Sequence, residues 1–246
     1  MSPQTQRQRD TDPRGNLLLA SLDRADYEIL MLEAKVVALK FRKRLYRQDN
    51  PIDFVYFPIT SMVSLLVSTT DKLSMEMAIV GREGVVGASE LLQRQGSMAL
   101  SLVQLPGTAA QIDRYAFLKV ASSRLRVQDV MNRHLLALMR QVLIGAACNR
   151  LHTMEERCAR WLLMTHDHAC QDSFPLTQEF LSQMLGVRRA TVNAATGTLK
   201  KKGLIRYVRG RVTIIDRKGL ESASCGCHQA TIQVYSSILG TPDRRI

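Results

Sequence analysis

Apolar and polar residues alternate in five short segments of the first half of the chain, at residues 53–57, 62–68, 75–80, 101–104 and 108–113. These segments are rich in Val and Ile, and the turn-forming sequences Asp-Lys, Gly-Arg-Glu-Gly and Pro-Gly separate them. The pattern predicts antiparallel strands joined by hairpins, and therefore a compact β roll within residues 16–123. A short helix with Asp23 as its cap is predicted to lead into the roll. The polar residues 1–15 are predicted to be a disordered tail.

After Asp113 the apolar residues recur every three or four positions, which is the period of an amphipathic helix. The pattern predicts one long helix over residues 124–152. Its apolar side has two equally weighted interpretations: it lies on the β roll of the same chain, or it pairs with a second copy in a coiled-coil-like seam. In the second interpretation the dimerisation residues are Leu135, Leu138, Val142 and Gly145.

The last third of the chain predicts a small separate unit, residues 153–220. Thr153 followed by Glu156 is a capping-box pattern, which ends the long helix near His152 and starts a new helix. Further on, Thr177 is placed to cap a short helix, and Gly186 makes a tight turn before helical periodicity resumes at residues 189–202. Residues 204–208 and 211–215 then flank a turn as a small hairpin. This order predicts a winged helix-turn-helix, followed by a C-terminal tail at residues 221–246.

The composition of the chain indicates what kind of partner it binds. The chain has 246 residues with 46% hydrophobic content, enough for a sizeable core, and a net charge of +12. Residues 174–217 carry nine basic residues against two acidic ones, so more than half of the excess lies in the predicted winged unit. A polyanion is therefore the expected partner. No apolar run approaches the ~18 to 20 residues of a membrane span, and the polar N-terminus favours a cytoplasmic protein.

Duplex DNA fits the predicted unit, because the major groove is about 12 Å wide and admits a helix. At the start of the second helix, Arg189 is placed to contact guanine, and Asn193 one turn later to contact adenine. A plain solvated basic helix is the alternative, but the capped first helix, the glycine turn and the basic wing together favour DNA binding. The other predicted DNA-binding residues, mostly phosphate contacts, are Thr177, Arg188, Thr191, Lys200, Lys201, Arg209 and Arg211.

Residues 176–205, together with the Met-Glu-Glu-Arg-Cys-Ala-Arg-Trp-Leu-Leu segment at 154–163, resemble the C-terminal half of the Crp/Fnr family of bacterial transcription regulators. The order of β roll, long helix and winged helix also resembles this family over nearly the whole chain. The resemblance implies an α+β fold whose β roll is a cyclic-nucleotide-binding-like sensor. It further implies a homodimer paired through the long helix, a pseudo-palindromic duplex DNA site and RNA polymerase as a partner in activation.

The sequence departs from the family at its effector and metal positions. Nucleotide-binding members have an acidic residue and an arginine where this chain has Ala88 and a position near Ser97, so cyclic AMP is not expected to bind. The N-terminal cysteine cluster of oxygen-sensing members is absent, because no cysteine precedes Cys148. Ala190 replaces the usual acidic cytosine reader, so a different DNA sequence is expected. The remaining effector-pocket candidates are Gly84, Gly87, Glu90 and Arg94.

Two short groups contain residue types that ligate metals: His166, His168 and Cys170, and then Cys225, Cys227 and His228. Neither is a complete set of four ligands. The first group is explained by histidines facing the carbonyl groups of a helix end, and the second by surface thiols in a tail. Five cysteines are an odd number, which favours reduced thiols. We predict no metal and no cofactor, and keep a metal- or redox-responsive regulator as an alternative.

Two other function classes fit less well. An enzyme needs a nucleophile, a base and an orienting group, and the chain lacks a nucleophile elbow, a phosphate loop and a His-Glu-x-x-His motif. A nonspecific basic protein that binds nucleic acid or anionic lipid would account for the net charge but not for its concentration in the winged unit.

Overall fold

Two antiparallel sheets form the N-terminal half of the protein. The computed structural model describes residues 11–70, 74–88, 96–169 and 171–240. One sheet has the strand order β1-β7-β3 and the other the order β2-β6-β4-β5, and together they enclose the apolar core of a β roll. The strands are β1 (Ala34–Leu39), β2 (Arg44–Tyr46), β3 (Phe54–Pro58), β4 (Met62–Ser68), β5 (Ser74–Val80), β6 (Leu100–Leu105) and β7 (Gly107–Asp113).

The alternating segments correspond to strands β3 to β7, and β4 has the predicted bounds. Strands β1 and β2 were not predicted from the pattern. Both lie at sheet edges and carry lysine or arginine, which weakens the alternation by which strands are recognised. Charged edge strands are common because they discourage pairing with other chains.

Two short helices, α1 (Leu17–Ala20) and α2 (Arg24–Leu32), precede the roll, and Asp23 caps α2 as predicted. The predicted disordered tail at residues 1–15 is only partly described, and its described end is structured. Asp12 caps a 3-10 turn at Pro13–Gly15. The buried side chain of Asn16 then donates hydrogen bonds to the carbonyl groups of Pro58 (2.9 Å) and Gly84 (2.8 Å), which holds this segment on the roll.

Helix α3 (Arg114–Ser123) leads into the long helix α4 (Leu125–Leu151), close to the predicted range. Helix α5 (Met154–Ala169) follows at once. Between them Thr153 and Glu156 form the predicted capping box, in which the Thr153 N–H donates to the Glu156 carboxylate at 2.8 Å. The long helix and the C-terminal unit are therefore joined by a short junction at residues 152–153.

Helix α4 contacts the β roll of its own chain through the residues that the sequence analysis assigned to a dimer seam. Leu135 packs on the core of the roll, Leu138 and Val142 line a cavity in it, and Gly145 lies against the carbonyl oxygen of Met77. The exposed apolar stripe lies one residue further along the helix, at Leu136 (46% exposed), Met139 (55%) and Leu143 (61%). These three exposed residues each lie one position after a predicted seam residue.

The C-terminal residues are not the tail that the sequence analysis expected. Helix α8 (Arg217–Ala223) and helix α9 (Cys227–Leu239) follow the winged unit. Helix α9 packs along α4, where Ile232, Val234 and Tyr235 form an apolar cluster with Ala137. Residues 241–246 lie outside the described part of the chain. Within that part, no helix combines the length and hydrophobicity that a bilayer crossing needs.

Candidate nucleic-acid interface

The helix-turn-helix is formed by α6 (Gln178–Leu185) and α7 (Arg189–Lys201). The Thr177 hydroxyl caps α6 by accepting a hydrogen bond from the Phe180 N–H at 3.1 Å. Gly186 ends α6 in the left-handed conformation, with φ of +65°, which glycine adopts without steric cost. The turn that separates the two helices therefore depends on this glycine.

Helix α7 has one buried side and one exposed side. Val192, Ala195 and Leu199 lie in the core that α7 shares with α5 and α6. The exposed side carries Arg189 and Asn193, which are four residues apart and therefore neighbours on the helix surface. The predicted contact residues Arg188, Thr191, Lys200 and Lys201 are also exposed.

A three-stranded sheet forms the wing, with strand order β8 (Ser173–Pro175), β10 (Arg211–Ile214) and β9 (Ile205–Val208). The hairpin between β9 and β10 turns at Arg209 and Gly210, which both have positive φ (45° and 72°). Two successive residues of this kind are typical of the tight turns that suit the twist of a hairpin. The turn leaves Arg209 and Arg211 exposed at the tip of the wing.

The winged unit contacts the β roll through hydrogen bonds and an aromatic pair. The Trp161 indole donates to Glu76 on β5 at 2.8 Å, and the Phe41 and Phe180 rings lie 5.7 Å apart. Arg42, in the loop after β1, donates to the Thr177 hydroxyl at 3.4 Å. Thr177, one of the predicted DNA contacts, therefore has partners within the chain, whereas Arg189 and Asn193 on α7 are exposed.

A buried ion pair crosses the same boundary. His168 of α5 lies 3.0 Å from Glu83 of the roll, and their side chains are only 6% and 1% exposed. Burial alone would raise the pKa of Glu83, but the charge of His168 and hydrogen bonds from His168 and backbone N–H groups lower it below its ordinary value. Burial alone would lower the pKa of His168, but the Glu83 carboxylate raises it. Each partner therefore favours the charged form of the other.

The His168–Glu83 ion pair should make the free energy of unfolding depend on pH. Since the pKa of His168 is raised by folding, its contribution is fully present below 6.5 and is lost as the pH rises through the raised value. Since the pKa of Glu83 is lowered, its contribution is present above 4.5 and is lost as the pH falls through the lowered value. We expect His168→Gln to reduce the free energy of unfolding by about 3–5 kcal/mol near neutral pH, because Glu83 is left as an unpaired buried charge.

Urea unfolding followed by the fluorescence of Trp161, the one tryptophan of the chain, measures this effect. Burial raises the pKa of Glu76 to about 7, so wild type and variant both lose stability as the pH rises from 4.5 to that value. Subtracting the free energy of unfolding of the variant from that of the wild type at each pH removes the Glu76 contribution, which both proteins share. The difference should shrink as the pH rises through the His168 pKa, and a difference that is constant with pH would contradict the assignment.

The roll contains a cavity of about 240 Å³ at the position that the resemblance assigns to an effector. Ala88 and Ser97, which replace the acidic residue and the arginine of nucleotide-binding relatives, both line it, as does the predicted Gly87. Gly84 does not line the cavity and packs against His134 instead. Glu90 and Arg94 lie outside the described residues. No charged side chain lines the cavity within the described ranges.

The histidines that the sequence analysis weighed as metal ligands have other partners. His166 contacts Asp172 at 2.8 Å, and the Nδ1 atom of His168 lies 2.7 Å from the carbonyl oxygen of Met164 in the last turn of α5. His228 contacts the buried Asp167 at 2.8 Å. Cys170 lies outside the described residues. Cys225 is buried and Cys227 half-buried, so neither is the surface thiol that was expected.

The helix-turn-helix and the fold of the chain are similar to those of known proteins. Residues 156–223 match the model of the Crp-like helix-turn-helix domain. A transcriptional regulator of the Crp/Fnr family from Eubacterium rectale has a TM-score of 0.67 at 14% identity, over 84% of this chain and 96% of that one. The chain has the fold of a Crp/Fnr-type transcription regulator. The resemblance found in the sequence is thereby confirmed, and with it the α+β fold.

Other solved structures agree with the Crp/Fnr fold. FixK2 from Bradyrhizobium japonicum has a TM-score of 0.64 at 17% identity, over 78% of this chain and 98% of that one. The c-di-GMP-responsive regulator CLP from Xanthomonas campestris has a TM-score of 0.62 at 15% identity, over 78% and 99%. No curated protein matches the sequence. Helix α9 lies beyond the residues that match the helix-turn-helix model.

Proposed function

We propose that this Crp/Fnr-type chain regulates transcription by binding a pseudo-palindromic duplex DNA site as a homodimer. The observation that carries the proposal is the exposed side of α7, on which Arg189 and Asn193 lie one turn apart beside a basic wing. Arginine bonds guanine through two donors, and asparagine bonds adenine through a donor and an acceptor. The surrounding lysines and arginines bind phosphates, which supplies most of the affinity but no sequence preference.

A second copy is proposed to pair along the exposed stripe of α4. Leu136, Met139 and Leu143 are spaced by three and four residues, which is the repeat of a coiled-coil seam. Burying such side chains contributes ~1.5–3 kcal/mol each, and a dimer covers the stripe on both chains. Twofold symmetry then places two α7 helices about 34 Å apart, one turn of B-form DNA.

Competition between duplexes tests the proposal. A site is first selected from a pool of random duplexes, and its binding is then compared with that of a scrambled duplex of the same length and composition. A regulator of this kind prefers its own site by about a thousandfold or more. Equal binding to both duplexes would contradict the proposal and favour a nonspecific nucleic-acid-binding protein.

The cavity in the roll is proposed to take an uncharged effector, because no described side chain in it would pair with a phosphate. Cyclic AMP should therefore leave the affinity for the selected site unchanged, and a clear increase would overturn this part of the proposal.

Where the bound protein activates transcription, RNA polymerase is the proposed partner. We place this activity in the cytoplasm and assign the chain no enzymatic role.

A further inference from the structure

Four side chains that ligate metals meet where the long helix ends. Cys148 and His152 are one turn apart at the end of α4, and Cys225 and Cys227 flank the glycine at which α9 begins. The sulfur atoms of Cys148 and Cys225 are 3.5 Å apart, and the sulfur of Cys227 is 3.7 Å from Nδ1 of His152. All four ligand atoms lie within 4.8 Å of one another.

These separations resemble those of a tetrahedral zinc site. With zinc-sulfur bonds of about 2.3 Å and zinc-nitrogen bonds of about 2.0 Å, tetrahedral ligands are about 3.5–3.8 Å apart. Three cysteines and one histidine are a common ligand set for structural zinc. An iron–sulfur cluster would spread its ligands more widely, because the ligands are divided among two or more iron atoms. The arrangement therefore fits a single ion.

We propose that Cys148, His152, Cys225 and Cys227 bind one zinc ion. The ion ties the start of α9 to the end of α4, next to the junction that leads into the winged unit. Cys148 is fully buried and Cys225 is 5% exposed, while Cys227 and His152 are half-buried and leave an entry path. The proposal does not depend on DNA binding.

Two rival explanations account for fewer of these contacts. A disulfide between Cys148 and Cys225 requires a sulfur-sulfur distance of about 2.05 Å and leaves Cys227 and His152 without a role. A redox-reactive thiol is accessible to its oxidant, whereas Cys148 is fully buried.

Metal analysis of the full-length chain, purified without chelators and without a histidine tag, tests the proposal. We expect about one zinc per chain. Replacement of the zinc by cobalt(II) should give the strong visible bands of tetrahedral coordination together with thiolate-to-cobalt charge-transfer absorption. A chain without zinc, a cobalt spectrum typical of six oxygen ligands, or a Cys148–Cys225 disulfide in the isolated protein would each overturn the proposal.

Single substitutions test whether zinc binding depends on these four residues or on any cysteine of the chain. Cys227→Ser and His152→Gln change half-buried residues, and each should weaken zinc binding by more than ~100-fold, beyond the 10- to 100-fold effect of losing an outer partner of a metal site. Cys158→Ala is the control, because Cys158 is a free cysteine of the described chain outside the four-ligand group. Equal loss in the control, or no loss in both ligand variants, would contradict the site.

Discussion

Replacing Leu143 by glutamate is expected to convert the proposed dimer into monomers and to weaken binding to the selected duplex by at least about a thousandfold. Leu143 is 61% exposed in the single chain and is the most exposed member of the apolar stripe of α4. In a twofold dimer, the seam brings the two introduced carboxylates close together, where they repel each other and lose hydration. Each chain then offers one recognition helix, so the second half-site no longer contributes.

Sedimentation measures the oligomeric state, and fluorescence anisotropy measures binding to whole and half sites. The matched control is Gln128→Glu, which adds the same charge to the same helix at an exposed position off the stripe. The control should remain dimeric. Leu138→Ala provides a second comparison, because Leu138 lines the cavity of its own roll and its truncation should leave the dimer intact. A dimeric Leu143→Glu protein would reject the seam.

Arg189→Ala is expected to lower the affinity for the selected duplex by about 1–3 kcal/mol for each half-site and to relax the base preference at one position in each. Arg189 begins α7 and is exposed, and the structure gives its guanidinium no acidic partner among the described residues. Loss of a contact to a base removes discrimination as well as affinity. The effect is therefore larger on the selected duplex than on a scrambled one.

Lys201→Ala is the matched control for this prediction, because Lys201 is an exposed basic residue at the other end of the same helix. As a phosphate contact it should weaken all duplexes about equally and reduce the slope of affinity against salt concentration by about one unit. Affinity measurements at several salt concentrations, on selected and scrambled duplexes, distinguish the two roles. Equal losses for Arg189→Ala on both duplexes would exclude it as a base contact.

Much of the winged unit was predictable because its signals are local. The Thr153 and Thr177 caps, the Gly186 turn and the Arg209-Gly210 hairpin each depend on residues only a few positions apart. The hydrophobic period also gave the long helix and five strands of the roll. The same signals failed for edge strands β1 and β2, whose charged residues break the alternation. They also failed for α9, which lies in the segment predicted to be a tail.

The sequence by itself determined the kind and order of most elements and the concentration of positive charge on the winged unit, since backbone hydrogen bonds and side-chain period act between near neighbours. Only the tertiary structure decided which apolar side of α4 is free, because Leu135 and Leu136 are adjacent in sequence and packing alone distinguishes them. It also brought Cys148 to Cys225, which are 77 residues apart. Contacts over such separations depend on how whole helices pack, and the spacing of residues along the sequence does not predict that packing.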